Sequence, residues 1–363
     1  MPVRRVTIGD IARASDASPT TVSLVLRDKP GIGDETRERV LAAAHALGYR
    51  RRSARPIREE RDLRSIALLF RARTRSPEDE APRVNPFYSW VLTGLEAAAR
   101  AQRMNLLYAT LPVDDDNMVT DVPSHILDQR LDGALIVGPF SDRALSEMLG
   151  ARSLPVVLVD GPAVPRAFDV VASDNVEGAR IAVQHLIASG HRDIGLIAPA
   201  QSSDPNFRQR ADGYRRAMAD AGLTPLHGDM DERNVGRVVG ELLAAYPEVT
   251  ALFAVNDRFA VDAMRAAIAT GRRVPETLSI MGFDDTDHAS QALPGLTTMA
   301  VDKVNMGRRA VDLLDFRIRW PEAAATLTTL APRLVARQSV ARGPAADGPD
   351  ALDRSIATYP ATD

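Results

Sequence analysis

The chain contains no cysteine. Disulfides, thiolate nucleophiles, zinc–sulfur sites and iron–sulfur clusters are thereby excluded. Lysine is almost as scarce: of 45 basic residues only Lys29 and Lys303 are lysine, and the other 43 are arginine. No apolar run approaches the roughly 20 residues that a membrane span requires. The opening MPVRRVTIGDIARASD carries basic residues with no apolar stretch behind them, unlike a secretory signal, so a cytoplasmic location is expected. There is no phosphate-binding glycine loop and no triad spacing. The six histidines (45, 125, 185, 191, 227 and 288) show no helical pairing, so neither a metal nor a cofactor is implied.

What is present is 363 residues, 45% hydrophobic and 26% charged. That length exceeds one ordinary domain of about 100–200 residues. The net charge of −3 hides an asymmetry: residues 1–58 hold 12 basic and 6 acidic residues (+6), and the remaining 305 hold 33 and 42 (−9). A small basic head on a large acidic body points to a polyanion as the partner of the head alone.

The head reads as three short helices. Thr7 with Asp10 is a capping-box-like start, and Ile8, Ile11 and Ala12 give one apolar face. Ser15-Asp16-Ala17 makes a tight turn; Ser18 caps a second helix with Pro19 at its first position, and Val22, Val25 and Leu26 follow at helical spacing. A third helix is expected from about Asp34 to Leu47, with Val40, Leu41, Ala44 and Leu47 facing inward and Gly48 ending it. Two helices joined by three residues with a third across them is the helix-turn-helix plan, in which the second helix enters the major groove. Periodicity alone leaves a protein-interaction module equally open.

The detailed string is more specific. Thr7-Ile8, Asp10-Ile11-Ala12, Ser18-Pro19-x-Thr21-Val22-Ser23, Thr36-Arg37-x-x-Val40 and Leu47-Gly48-Tyr49 closely resemble the DNA-binding head of the lactose-repressor (LacI/GalR) family of bacterial transcription regulators. The resemblance implies that Pro19, Thr20, Ser23 and Leu24 face base edges, and that Thr7, Ser18, Thr21 and Thr36 grip phosphates. Hydroxyls and helix N-termini set register on DNA without reading its sequence. Leu24 departs from the arginine common in the family: leucine offers only apolar contact, for example to a thymine methyl.

Beyond the head, short apolar runs alternate with helical segments. Strands are expected at Ser65–Phe70, Leu106–Ala109, Gly133–Val137, Val156–Val159, Ile194–Ile197, Ala251–Val255 and Ser279–Phe283, with helices near 87–103 and 175–189. Near-continuous apolar strands alternating with helices mean parallel sheets covered on both faces, and the run is long enough for two α/β lobes with a cleft between. The body resembles the periplasmic-binding-protein-like core of the same family through about residue 342, on Asn85-Pro86-Phe87-Tyr88, Leu131-Asp132-Gly133, Leu154-Pro155-Val156-Val157, Gly190-His191-Arg192, Asn256-Asp257, Gly282-Phe283-Asp284-Asp285 and Leu296-Thr297-Thr298. The expected organisation is therefore a helix-turn-helix domain (1–49), a hinge or linker (50–64), a two-lobed effector-binding and dimerisation core (65–342) and a disordered tail (343–363). The chain should cross between lobes near 165–173, 286–300 and 320–332.

Open α/β sheets place ligands at the C-terminal ends of their strands. Asp160, Asn256-Asp257 and Asp284-Asp285 all follow strands. By family position Phe87, Asp160, Arg210, Met230, Asn256, Asp284 and Lys303 are the effector-binding candidates, while Asp257 and Asp285 read as structural. Carboxylates, an amide and an arginine suit a neutral polyhydroxylated ligand. Met230 replaces an aromatic platform common in sugar-binding relatives, and Lys303 could meet an acidic or phosphorylated group or simply reach to water. The leading function is a homodimeric, small-molecule-switched repressor of a pseudo-palindromic operator, with a sugar-like effector favoured. A purine or other metabolite as effector, a solute-binding protein of a transport system, and an enzyme using Asp284 and Asp285 as acid and base are the alternatives. The fused head argues against the transport reading.

The linker carries Arg51, Arg52, Arg55, Pro56, Ile57 and Arg58. In the family this stretch forms a hinge helix whose leucine wedges into the minor groove; gapless matching from Tyr49 puts Arg58 at the wedge, with Ile57 beside it. Pro56 would cost about 3 kcal/mol in a helix interior. A weakened or shifted hinge, with arginines entering the minor groove by charge and shape, follows. Arg55→Ala and Arg58→Ala are expected to flatten the log–log dependence of operator affinity on salt by about 0.9 for each phosphate no longer neutralised. Ile57→Ala should change little, and a central DNA kink abolished by Ile57→Ala would show that an apolar wedge persists, displaced by one residue.

Overall fold

The computed structural model describes residues 7–26, 32–47, 63–73, 86–114, 118–122, 131–138, 154–161, 168–199, 202, 204–230 and 234–345. The chain divides into two compact units, residues 1–62 and 63–363. Hinge residues 50–62, including Arg51, Arg52, Arg55, Ile57 and Arg58, lie outside the described residues, as does Gly48.

In the head, α1 (Ile8–Ala14) begins at a reciprocal cap: the Thr7 backbone N–H donates to Asp10 Oδ2 at 2.8 Å, and the Asp10 N–H donates to Thr7 Oγ1 at 3.3 Å. The turn passes through Asp16 at φ 48°, a left-handed conformation that Asp tolerates better than most residues. Helix α2 (Pro19–Leu26) starts at Ser18, whose Oγ accepts the Thr21 N–H at 3.0 Å. Helix α3 (Asp34–Ala46) is tied to the turn by Arg39 Nε donating to Ser15 O at 3.0 Å. Ile11, Ala12, Val22, Val25, Val40 and Ala44 form the core. Two expected core residues are outside it: Leu41 is 47% and Leu47 38% exposed. Val40 and Ala44, one turn apart, already face inward; Leu41 lies about 100° around the helix from Val40, and Leu47 follows the last helical residue.

The body holds two parallel sheets. The first lobe has strands β1 (Arg64–Arg73), β2 (Met104–Val113), β3 (Gly133–Val137), β4 (Val156–Val159), β5 (Asp169–Ser173) and, returning late in the chain, β11 (Leu327–Leu330), in the order β11-β5-β4-β3-β1-β2. Helices α4 (Pro86–Ala101) and α10 (Lys303–Arg319) pack on it. The second lobe has β6 (Ile194–Pro199), β7 (Leu226–Met230), β8 (Ala251–Ala254) and β9 (Ser279–Met281) in the order β7-β6-β8-β9. Its main helices are α5 (Asn175–Ala188), α6 (Pro205–Asp220), α7 (Val235–Ala245) and α8 (Asp257–Ala269), followed by the short α9 (Asp287–Gln291). An antiparallel pair, β10 (Thr298–Ala300) and β12 (Arg333–Val335), joins the returning segments. Strands β3, β4, β5 and β8 are buried along their whole length, as parallel strands covered on both faces must be.

Three boundaries differ from the expectation. Arg64 opens β1 and pairs with Asp315, so it belongs to the core and not the linker. The first crossing, expected near 165–173, comes at the far edge of that range: 169–173 is strand β5 of the first lobe and the chain passes over after Ser173; the polar ends of DVVAS conceal that strand. Residues 343–345 are expected in the tail, yet the Gly343 N–H donates to Ser189 O at 2.7 Å and the Ala345 N–H to Gly190 O at 3.0 Å. At Gly343 a Cβ would come within 2.5 Å of Gly190 C, so glycine permits this docking.

Helices α4 and α10 touch backbone to backbone. A Cβ at Gly94 would stand 1.9 Å from Val304 O, and one at Gly307 would stand 2.2 Å from Val91 O. Gly94→Ala is expected to destabilise the core by about 3 kcal/mol, at the upper end of overpacking costs, because backbone cannot yield as a side chain does. Gly240→Ala, with nothing within 4 Å of the added carbon, should instead stabilise α7 by about 0.5–1 kcal/mol. Urea unfolding of the two variants checks the contrast.

Candidate effector site and DNA-reading face

Strand β4 delivers Asp160 at its C-terminal end, in a left-handed conformation (φ 60°) and 3% exposed. Its Oδ2 accepts from the Tyr88 hydroxyl at 2.9 Å, in the first lobe, and from Asn206 Nδ2 at 3.0 Å, in the second. Its Oδ1 is buried with no hydrogen-bond partner among the described residues. Burial pushes the carboxyl up to about 7, against the pull of Arg210 and of the Tyr88 hydrogen bond and with a further push from Asp204 and Asp284.

The polar chain continues into the second lobe. Asn175 Nδ2 donates to Asn206 Oδ1 at 3.1 Å, and Arg210 Nε donates to Asn175 Oδ1 at 2.8 Å. Arg210 Nη1 donates to Val255 O at 2.8 Å, and Nη2 stands 2.9 Å from Asp284 Oδ1 as an ion pair outside hydrogen-bond alignment. The guanidinium lies over the Phe283 ring at 4.0 Å. Asp284 itself is left-handed (φ 111°), and burial raises its carboxyl while Arg210 and Lys303 lower it.

Lys303, the first residue of α10, is 8% exposed, so it does not reach to water. Its Nζ donates to Asp284 O (2.5 Å), Asp285 O (2.9 Å) and Val301 O (3.3 Å). An ammonium has three N–H groups, and all three are engaged. Of the two expectations for Lys303, the reach to water is not what the structure shows, and the donors an acidic or phosphorylated ligand would use serve backbone carbonyls here. Phe87 is buried at the start of α4, with its ring 5.9 Å from Lys303 Nζ.

Asn256 is the N-cap of α8, its Oδ1 accepting the Phe259 N–H at 2.8 Å. Met230 ends β7, where its backbone pairs with Pro199; its side chain is outside the described residues. The structure thus links Asp160 to Arg210 through Asn206 and Asn175, pairs Arg210 with Asp284, sets Lys303 on the Asp284 carbonyl with the Phe87 ring nearby, and puts Asn256 next to Val255, which Arg210 holds. Asp257 and Asp285 are structural: Asp257 accepts from the Thr286 N–H (2.6 Å) and Thr298 Oγ1 (2.5 Å), and Asp285 pairs with Arg337 at 2.7 Å. Sequence reasoning missed Tyr88, Asn175 and Asn206. The strand-end rule would have found Asn175 had β5 been recognised; for Asn206, Asp204-Pro205 at a helix start was the available signal.

In the head, Val22 and Val25 turn α2 inward. Pro19, Thr20 and Leu24 are exposed and Ser23 partly so, as are Thr21 and Thr36; Thr7 and Ser18 are exposed while also capping their helices.

Residues 7–52 match the family described as bacterial regulatory proteins, lacI family, and residues 183–340 match the periplasmic binding protein-like domain. The ribose operon repressor of Haemophilus influenzae is 30% identical over 341 residues, covering 92% of this chain and 98% of that protein. This chain belongs to the LacI family. The HTH-type transcriptional repressor PurR of Photobacterium profundum is 29% identical over 343 residues, covering 92% of this chain and 98% of that repressor. The transcriptional regulator CelR in complex with cellobiose superposes with a TM-score of 0.65 at 28% identity, over 92% of this chain and 100% of that one. A LacI family regulator from Enterococcus faecium with bound ribose does so at 0.63 and 25%, over 77% and 99%. The protein is a ligand-responsive, DNA-binding transcription repressor, and the solute-binding reading is not favoured. Among the described residues no helix is long and apolar enough to cross a membrane.

The Asp160 carboxyl titrates near 7 in the folded state and near 3.8 when unperturbed. The folded state therefore holds the extra proton: the stability tied to this group is intact below about pH 4 and declines as pH rises toward about 7. Asp160→Asn is expected to remove that share of the decline, so the variant gains on the wild type between pH 4 and 7. Thermal melting across that range measures it, and parallel curves would mean that Asp160 is ionised throughout.

Proposed function

We propose that this repressor binds a pseudo-palindromic operator as a homodimer in the cytoplasm and is switched by a neutral, sugar-like effector held by Asp160, Arg210, Asn256 and Asp284. Pro19, Thr20, Ser23 and Leu24 read base edges; Thr7, Ser18, Thr21 and Thr36 hold phosphates; the linker arginines follow the minor groove. The observation that carries the effector class is the imbalance of donors and acceptors. Asp160 Oδ1 is buried without a hydrogen-bond partner and accepts when ionised or donates when protonated, which a hydroxyl can match in either form, whereas the Lys303 ammonium has no N–H left. A buried polar atom left unpaired costs about 1–3 kcal/mol, so the favoured ligand brings hydroxyls, and a phosphate or carboxylate would find no fresh ammonium. The ribose- and cellobiose-bound relatives support the same class.

A ligand that satisfies Asp160 from one lobe and the Arg210–Asp284 pair from the other would bias the angle between lobes, and through it the spacing of two heads on DNA. The enzyme reading draws no support from Asp284 and Asp285, because the first pairs with Arg210 and the second with Arg337, each on a separate partner.

Thermal-shift measurements on the full chain with D-ribose, cellobiose, a sugar acid, a sugar phosphate and hypoxanthine test the class. A neutral sugar at 100 times its Kd should stabilise by about 2.7 kcal/mol. Arg210→Ala and Asp284→Ala should each weaken its binding about ten-fold or more. A response to the phosphate or the nucleobase alone, or unchanged affinity in both variants, overturns the assignment.

A further inference from the structure

Asp284 and Asp285 are consecutive non-glycine residues with positive φ, 111° and 53°. That unusual turn aims both backbone carbonyls at one point, where Val301 O joins them and Lys303 Nζ sits. The turn is gripped from the second lobe by Arg210 on the Asp284 carboxylate, Arg337 on the Asp285 carboxylate and Asp257 on the Thr286 N–H. Lys303 grips it from the other side, because α10 packs on α4 and on strands β3, β4 and β5 of the first lobe.

The residue type is informative. In a chain where 43 of 45 basic residues are arginine, this position holds one of two lysines. An ammonium is a compact charge with three donors that converge on a small cage of oxygens, whereas a guanidinium is planar and its donors diverge. The site has the chemistry of a monovalent-cation site: carbonyl oxygens around a single positive centre with no anionic side chain needed as a ligand.

We propose that the carbonyls of Asp284, Asp285 and Val301 form a cation cradle filled by Lys303, which thereby acts as the positioning residue that ties the backbone of the Asp284–Asp285 turn to the first lobe. Emptied of its ammonium, the cradle takes ammonium or potassium from solution. The functional meaning rests on Asp284 facing the effector, but the cradle is tested without effector, so the failure of either idea is distinguishable from failure of the other.

The test compares full-length wild type, Lys303→Ala and Lys303→Arg in ammonium, potassium and tetramethylammonium chloride at equal ionic strength. Thermal melting and hydrogen exchange of amides 284–301 are the readouts. Lys303→Ala should melt about 5 °C or more below wild type and lose protection in that segment. Ammonium and potassium should restore most of both, and tetramethylammonium, too large for the cradle, neither. Wild type should be indifferent to the cation. Lys303→Arg should melt below wild type and show no cation response. A purely packing role for Lys303 would give the same deficit in all three salts. Lys303→Ala indifferent to the cation, or Lys303→Arg as stable and protected as wild type, overturns the proposal. If Lys303→Ala does not fold in any salt, Lys303→Arg decides by the same criterion.

Discussion

The guanidinium of Arg210 is a buried positive group. A charge removed from water is tolerated only when it is paired and hydrogen-bonded, and the arrangement of the cleft follows from that requirement. The guanidinium draws Asn175 from the start of α5, the Val255 carbonyl from the end of β8 and the Asp284 carboxylate from the turn after β9, with the Phe283 ring beneath it. Three segments distant in sequence thus converge on one side chain. Removing it would leave the Asp284 carboxylate and the Asn175 amide buried and poorly satisfied together.

From that pair, polar contacts spread in both directions until they reach the first lobe. Through Asn175 and Asn206 they reach Asp160 and Tyr88; through the backbone of Asp284 they reach Lys303 and the ring of Phe87. The lobes are therefore joined by polar atoms at the cleft as well as by the crossing strands. Polar joints of this kind suit a switch, because each can be exchanged for a ligand hydroxyl at little net cost. The backbone-to-backbone packing of α4 on α10 through Gly94 and Gly307 suits a rigid support instead.

The head works on the opposite principle. Its core is six small or branched apolar side chains, and its candidate DNA-facing residues are hydroxyls, a proline and one leucine left at the surface. Charge is divided between the units accordingly: the +6 of residues 1–58 serves a polyanion, and the −9 of the rest keeps the effector core from competing for it.

Local patterning determined much of this protein. Caps, turns and apolar periodicity placed the three head helices, and runs such as Gly133–Val137 and Val156–Val159 marked buried parallel strands to the residue, because fully buried strands admit little but apolar side chains. Strand-end carboxylates pointed to Asp160 and Asp284, since open α/β sheets put sites there. Strand β5 was not legible, because its polar ends, Asp169 and Ser173, are buried in the fold, and Asp169 is held by partners far along the chain, Arg317 and Thr326. Nor was the docking of Gly343 on Gly190, or the exposure of Leu41. Only the tertiary structure decided which polar residues meet. Asn175, Asn206 and Tyr88 join Asp160 across sequence separations that no local pattern spans. Lys303 turned from an expected ligand-binding residue into an internal cation, because two left-handed residues 18 and 19 positions earlier aim their carbonyls at it. Hydrogen bonds and ion pairs between distant segments depend on three-dimensional convergence, which periodicity and composition do not encode.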